Sequence, residues 1–187
     1  MGNEITNDIL LKAQEGDLDS FEIIYRTCVN FVYNVAYRIL CNKEDAEEVT
    51  QEVFLNVYHK LKGFRLESSF KTWVYRITVN CAINYQKKMA RERERQKRYD
   101  DNLGPEGHVN DPGVAINSEN RERTINALLR ILNPDQRTAI VLRNIEGLSY
   151  REIADTLKVS INTVRSRLKR AREKMLVIRK EVIKNEM

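Results

Sequence analysis

Arg165, Ser166, Lys169 and Arg170 recur at the spacing that gathers side chains on one face of a helix, and their types suit a polyanion. An arginine fork matches the two acceptors on the major-groove edge of guanine, serine bonds to several bases, and lysine neutralises phosphate. The stretch that holds them, residues 148–175, LSYREIADTLKVSINTVRSRLKRAREKM, reads as two short helices joined by a tight turn. Ser149 is placed to cap the first helix with Glu152 completing a capping box, and Ile153, Ala154 and Leu157 give it one apolar face. Lys158 and Val159 make the turn. Ser160 caps the second helix, on which Ile161, Val164, Leu168 and Met175 face inward while Asn162, Arg165, Ser166, Lys169 and Arg170 face outward. This is a helix-turn-helix, whose second helix enters the major groove. A basic helix on the outside of a bundle has the same composition, but not the capped partner helix and short turn.

A second set of polar residues lies far upstream. Residues 45–60, DAEEVTQEVFLNVYHK, form a helix with a buried stripe of Ala46, Val49, Val53, Val57 and Leu61. Glu48, Gln51, Glu52 and Leu55 then form a contrasting outer strip. One exposed leucine is ordinary on any surface; among carboxylates it also fits a docking face for a basic protein helix.

The third set follows directly. Residues 63–70, GFRLESSF, make a short polar loop in which Ser68 or Ser69 caps one long helix over residues 71–98. Phe70, Trp73, Val74, Ile77 and Cys81 supply its core side, which leaves Tyr75, Val79, Ile83 and Asn80 on other faces. The helix ends in a basic run that includes Lys87 and Lys88. Aromatics beside cations suit a single-stranded nucleic acid, stacking its bases while the cations hold its phosphates; they equally suit packing inside a bundle.

The elements around these sets are helical too. Over residues 7–61 the apolar positions Leu10, Leu11, Phe21, Ile24, Tyr25, Val32, Val35, Ala36 and Ile39 predict a core, with a break at Gly16, Asp17 and Asp19. From residue 121 on, Ile125, Leu128, Leu129 and Leu132 predict one helix. Pro134 after Asn133 starts another, packed by Ala139, Ile140, Leu142 and Ile145 and ended by Gly147. The predicted fold is all-α: an N-terminal helical bundle and a C-terminal four-helix domain with the helix-turn-helix, joined by a flexible acidic linker.

Charge follows the same division. The chain of 187 residues carries a net +5, but residues 1–86 have net −3, 87–98 net +5, 99–120 net −5 and 121–187 net +8. Such alternation implies polyanion at the end of the chain and a basic or protein-like partner at its front. The stretch 99–120 also holds Gly104, Pro105, Gly107, Pro112 and Gly113, a connector's composition. Cys28, Cys41 and Cys81 lack the spacing of a disulfide framework or zinc site, and His59 and His108 have no matching ligand or base. No metal, cofactor or small-molecule substrate is expected. The start, MGNEITNDILL, lacks the blocks of a signal peptide, so a cytoplasmic protein is expected.

Taken together, AQEGDLDSFEIIY, AYRILCNKEDAEEVTQEVFLNVY, SSFKTWVYRITVNCAINY and LSYREIADTLKVSINTVRSRLKRAREKM resemble, in order and spacing, the extracytoplasmic function group of sigma factors in the sigma-70 family. The resemblance implies a transcription initiation factor in three parts: a region 2-like domain at 1–98, a linker at 99–120 that runs through the polymerase cleft, and a region 4-like domain at 121–187. It implies that Asp45, Glu48, Gln51, Glu52 and Leu55 bind the clamp coiled coil of the large catalytic subunit of core RNA polymerase. It implies that Phe64, Arg65, Ser68, Ser69, Trp73, Tyr75, Ile77, Asn80, Lys87 and Lys88 meet the −10 element on the non-template strand, where capture of a flipped base offsets the cost of unpairing. For the −35 element it implies Arg165, Ser166, Lys169 and Arg170, with Arg143, Tyr150, Arg151 and Thr163 near phosphates. An anti-sigma protein as partner, and a monomer when free, also come with the resemblance. Two departures stand out: Asn162 where a glycine is usual, and Cys41 where glycine is frequent. Two other classes remain as alternatives. A stand-alone DNA-binding regulator would need only the C-terminal domain, and an enzyme acting on nucleic acid would need a catalytic cluster that the sequence does not display.

Overall fold

The computed structural model describes residues 5–65, 69–99 and 118–185, and among them every regular element is helical. The chain divides into two compact units, residues 1–87 and 88–187.

Unit 1 is built on helix boundaries written into the sequence. Helix α1 (Asn7–Glu15) is capped by Thr6 and ends at Gly16, whose φ of 102° suits a residue without a side chain. Asp17 then accepts the Ser20 amide at 2.8 Å and starts α2 (Leu18–Leu40). Ile24, Val32, Val35, Ala36 and Ile39 of α2 are buried as predicted, with Leu10 from α1. Leu11 and Tyr25 are not: they are 52% and 42% exposed. The short α1 buries Leu10 and Ala13 and leaves Leu11 outside, and Tyr25 packs its ring edge-on against Phe54, centroids 4.6 Å apart. Phe21 is half-buried, its ring 5.1 Å from that of Tyr58.

Helix α2 stops at Cys41, which takes the left-handed conformation at φ 56°. This is the place where glycine is frequent in the family the sequence resembles, and the positive φ is the physical reason. Asn42 caps α3 (Lys43–Lys60), which starts two residues before the predicted one. Its stripe of Ala46, Val49, Val53 and Val57 is fully buried. A 3-10 turn, Leu61–Gly63, leads to the loop before α4 (Phe70–Tyr99), and Ser69 caps that helix by accepting the Thr72 amide at 3.1 Å.

Helix α4 is more deeply enclosed than one apolar stripe predicts. Tyr75 and Val79, expected on other faces, are core residues, because α4 has neighbours on two sides. The Tyr75 ring faces Phe31 of α2 at 6.2 Å, while Asn56 of α3 reaches the Cys81 sulfur at 3.6 Å. Buried Thr78 satisfies its hydroxyl on the Val74 carbonyl at 2.9 Å. Beyond Gln86 the described side chains of α4 are exposed, apart from half-buried Met89. The division between the units thus falls within α4, where the exposed basic run begins.

In unit 2, α5 (Ser118–Ile131) begins three residues inside the stretch assigned to the linker; residues 100–117 lie outside the described residues. Leu129 and Leu132 are buried, whereas Ile125 is 37% exposed. Asn133 caps α6 (Pro134–Ile140), with proline at the helix start. The Arg137 guanidinium returns to the end of α5, its Nε and Nη2 donating to the carbonyls of Leu129 and Leu132 at 2.8 and 3.0 Å. Helix α6 continues into a π-turn, Val141–Ile145, where the Glu146 amide reaches five residues back to Val141 at 3.1 Å. The widened turn lets Val141 and Leu142 both bury beside Ile140. Gly147, at φ 76°, ends it before α7 (Tyr150–Leu157) and α8 (Ile161–Asn185).

Candidate nucleic-acid and partner interfaces

Both helices of the α7–α8 pair are capped at their starts. Ser149 Oγ accepts the Glu152 amide at 3.2 Å while the Glu152 carboxylate accepts the Ser149 amide at 2.8 Å, the reciprocal capping box that the sequence predicts. Lys158 takes φ 53° at the end of α7, and Ser160 accepts the Thr163 amide at 3.1 Å to start α8. Val164, Leu168 and Ala171 dock α8, and Ile153 and Ala154 bury the facing side of α7. Ala171 replaces the predicted Ile161, which is 40% exposed because it opens the helix, and Met175 is only half-buried.

The outward side of α8 is as predicted: Asn162, Arg165, Ser166, Lys169 and Arg170 are all exposed. Their chemistry is not equivalent. Arg165 Nη1 donates to Asn162 Oδ1 at 3.2 Å, which steadies the guanidinium near the helix start. Ser166 donates its proton to the Asn162 carbonyl at 2.6 Å, leaving its lone pairs to face outward. Arg167 pairs with Asp135 of α6 at 2.7 Å and helps to hold α8 in place. Arg143 is likewise engaged within the fold, donating to the Leu148 carbonyl at 2.8 Å with its guanidinium 5.3 Å from the Tyr150 ring. Arg151 is exposed, and half-buried Thr163 shares a 2.9 Å hydroxyl contact with Ser160.

On α3 of unit 1, Glu48, Gln51, Glu52 and Leu55 form an exposed strip, with Leu55 62% exposed. Asp45 is half-buried for a reason the sequence did not reveal. Tyr85 of α4 points its hydroxyl at the strip, 2.8 Å from Asp45 Oδ1 and 3.2 Å from Glu48 Oε2. Burial first, and then the two carboxylates, raise the Tyr85 pKa well above the ordinary tyrosine range, so it remains a donor. Gln86 next to it donates to the Ile39 carbonyl near the end of α2 at 2.9 Å.

The third set gathers around aromatic rings at the start of α4. Phe64 is buried, its ring centroid 5.5 Å from Phe70 and 5.0 Å from Trp73. Tyr75 and Ile77 are buried, whereas Arg65, Ser69, Asn80, Lys87 and Lys88 are exposed. Trp73, Ile77 and Asn80 fall on one edge of α4 at helical spacing, which puts a polar amide on the same edge as Trp73, about two turns further along. Ser68 lies outside the described residues, and the Ser69 hydroxyl is already used as a cap. Two contributors escaped the sequence reading: Tyr85, and Gln14 of α1, whose amide bonds the Leu61 and Phe64 carbonyls. Both act across about 40 or more positions of sequence, which no local periodicity records.

Cys28 and Cys81 are buried free thiols, while Cys41 is partly exposed. Burial pushes the Cys81 thiol up to about 11 and raises Cys28 as well. Among the described residues no group of His, Cys, Asp and Glu is placed to hold a metal ion, and no helix is long and apolar enough to cross a membrane.

Comparison with known proteins covers both units. Residues 24–92 match the sigma-70 region 2 family and residues 122–175 the sigma-70 region 4 family. The ECF RNA polymerase sigma-E factor of Haemophilus influenzae is 35% identical over 184 residues, covering 92% of this chain and 95% of that protein. The RNA polymerase sigma-H factor of Pseudomonas aeruginosa is 33% identical, covering 91% of each. The sigma-E factor of Escherichia coli K12 is 33% identical over 92% of this chain and 94% of its own length. Among solved structures, the Bartonella quintana sigma factor RpoE, crystallised with the anti-sigma factor NepR, has a TM-score of 0.62 at 24% identity over 86% of this chain and 96% of that one. CnrH in complex with the cytosolic domain of CnrY gives 0.58 at 20% identity over 95% and 99%. These two likenesses speak for the fold.

Proposed function

Because the chain belongs to the sigma-70 family, among the ECF sigma factors that direct promoter-specific transcription initiation, we propose that its two units divide that work. The observation that carries the division is the docked α8, which presents Arg165, Ser166, Lys169 and Arg170 together, while the other polar strips lie on α3 and α4. Unit 2 reads the −35 duplex through α8, with Arg151 near phosphate. Unit 1 binds bacterial core RNA polymerase through Asp45, Glu48, Gln51, Glu52 and Leu55, a face whose carboxylates complement a basic helix. It also takes an unstacked base of the −10 non-template strand beside Asn80 and the Phe64–Trp73 cluster.

Promoter opening then needs no reaction at a catalytic group. Unpairing a base costs a few kcal/mol, and contacts available only to the open strand offset it. The chain acts as an adaptor in the cytoplasm, not as an enzyme. Arg143, Tyr150 and Thr163 flank this surface near phosphates, with Arg143 and Thr163 also tied into the fold by hydrogen bonds. The Bartonella quintana RpoE named above is bound to an anti-sigma factor, and a regulator of that kind is the partner we propose here, in a 1:1 complex.

The test is core binding. Leu55→Arg should abolish association of the full chain with core polymerase while its binding to promoter duplex and its melting temperature persist. Unchanged core affinity would instead favour a stand-alone regulator that needs unit 2 alone.

A further inference from the structure

Gln14 lies in the last turn of α1, ten residues before the segment that matches the region 2 family begins. Its side-chain nitrogen donates to two backbone carbonyls about fifty positions away, Leu61 at 3.0 Å and Phe64 at 2.8 Å. Those residues bound the 3-10 turn, and the Phe64 amide bonds the Leu61 carbonyl at 3.0 Å. The turn presses Leu61 and Phe64 into the core, 1% and 7% exposed. The Leu61 carbonyl has the Phe64 amide from within the turn, and the Phe64 carbonyl takes its donor from outside it. Gln14 bonds both carbonyls from one nitrogen.

The chemistry restricts what else could stand there. A primary amide carries two N–H donors on one neutral nitrogen. Glutamate would set an anion against two carbonyl oxygens, and methionine would fill the space but take the side-chain donor from both carbonyls, leaving Leu61 with the Phe64 amide alone. Asparagine keeps the amide and falls one methylene short.

What this strap holds is the backbone of Phe64, whose ring packs against Phe70 and Trp73 beside the edge of α4 that carries Asn80. We propose that Gln14 is a positioning residue for promoter recognition: by fixing the Phe64 carbonyl it sets the aromatic cluster against which the unstacked −10 base is captured. The inference rests on the reading that unit 1 takes such a base. It adds a determinant on a helix that belongs to neither the polymerase-docking strip nor the DNA-facing edge.

The experiment uses holoenzyme assembled from core polymerase and the full chain. It measures binding to labelled −10 non-template single strands, cognate against scrambled, on a promoter identified by start mapping. Gln14→Met should lower the cognate-to-scrambled affinity ratio about ten-fold, equivalent to about 1.4 kcal/mol, with core affinity and −35 duplex binding unchanged. A purely structural role predicts instead that all three affinities fall together with the melting temperature, and that result overturns the proposal. So does wild-type selectivity in Gln14→Met. If the methionine variant does not fold, Gln14→Asn is read in the same assay: reduced selectivity with intact core binding is the expected result, and full selectivity overturns the proposal. Wild-type holoenzyme that prefers neither strand would instead refute the underlying reading of unit 1, and the proposal with it.

Discussion

The Tyr85 hydroxyl of α4 sits 2.8 Å from Asp45 of α3 and donates its one proton there, with Glu48 at 3.2 Å as the nearby second acceptor. A residue of the long helix thus orients two carboxylates on the strip assigned to polymerase. Tyr85→Phe retains the ring and removes the donor. Its expected effect is a roughly three- to ten-fold weaker association with core polymerase, the equivalent of one hydrogen bond at about 0.5–1.5 kcal/mol. Titration of labelled protein with core enzyme measures it, with circular dichroism as the control for folding.

Asn80 and Tyr75 separate recognition from packing. Asn80 is exposed, so Asn80→Ala should change stability by no more than about 0.5 kcal/mol while impairing opening of a duplex promoter more than initial duplex binding. Tyr75 is 7% exposed against Phe31, so Tyr75→Ala should cost about 3–5 kcal/mol of stability, as large aromatic truncations do. Permanganate footprints of the −10 region and urea unfolding curves distinguish the two. An Asn80→Ala protein that opens promoters normally removes Asn80 from the site.

On α8 the arginines should behave differently from one another. Arg165→Ala should cost about 1–3 kcal/mol at its cognate base pair and relax specificity there. Arg170→Ala should weaken binding to all sequences and reduce the salt slope by about 1. Arg167→Ala should leave that slope nearly unchanged and cost at most about 1 kcal/mol of stability, because Arg167 pairs with the largely exposed Asp135. Binding of the full chain to −35 duplexes at several salt concentrations reads all three.

The thiols predict a pH dependence. Burial holds the Cys81 proton up to about 11, above the ordinary thiol value of 9.0, and raises Cys28 in the same direction. Between those values the unfolded chain has released protons that the folded chain retains, so stability is full below about pH 9 and falls as pH rises toward 11. Tyr85, held un-ionised by burial and its carboxylate neighbours, extends the loss above pH 10. Urea midpoints should decline over this window, less steeply in Cys81→Ala. At pH 8 a thiol reagent should modify partly exposed Cys41 before the other two.

The parts of the architecture legible in the sequence are those specified locally. Ser149 with Glu152, Asp17 after Gly16, and Asn133 before Pro134 each announce a helix boundary through side-chain chemistry within four residues, and each stands where it was read. The outward edge of α8 follows from period alone. Legibility ends where a helix has more than one neighbour. Tyr75 and Val79 read as surplus to one stripe because periodicity cannot count how many elements surround α4. The π-turn at Val141–Ile145 was hidden for a related reason: consecutive apolar residues fit either an ordinary helix with one side exposed or a widened turn that buries both. Arg143 and Arg167 look like phosphate ligands by type, and nothing in their local sequence announces the carbonyl and carboxylate partners that also tie them into the fold. Tyr85 and Gln14 exert their influence across distances in sequence that carry no pattern.

The central claim is that this chain directs polymerase to start transcription at promoters carrying two separated elements. Its most direct test is transcription in vitro by bacterial core RNA polymerase, with and without the protein, on fragmented genomic DNA, with the transcript starts sequenced. The account predicts starts that depend on the protein, share two spaced upstream boxes, and vanish with Leu55→Arg. No protein-dependent starts, from polymerase shown to be active with another sigma factor, would contradict it.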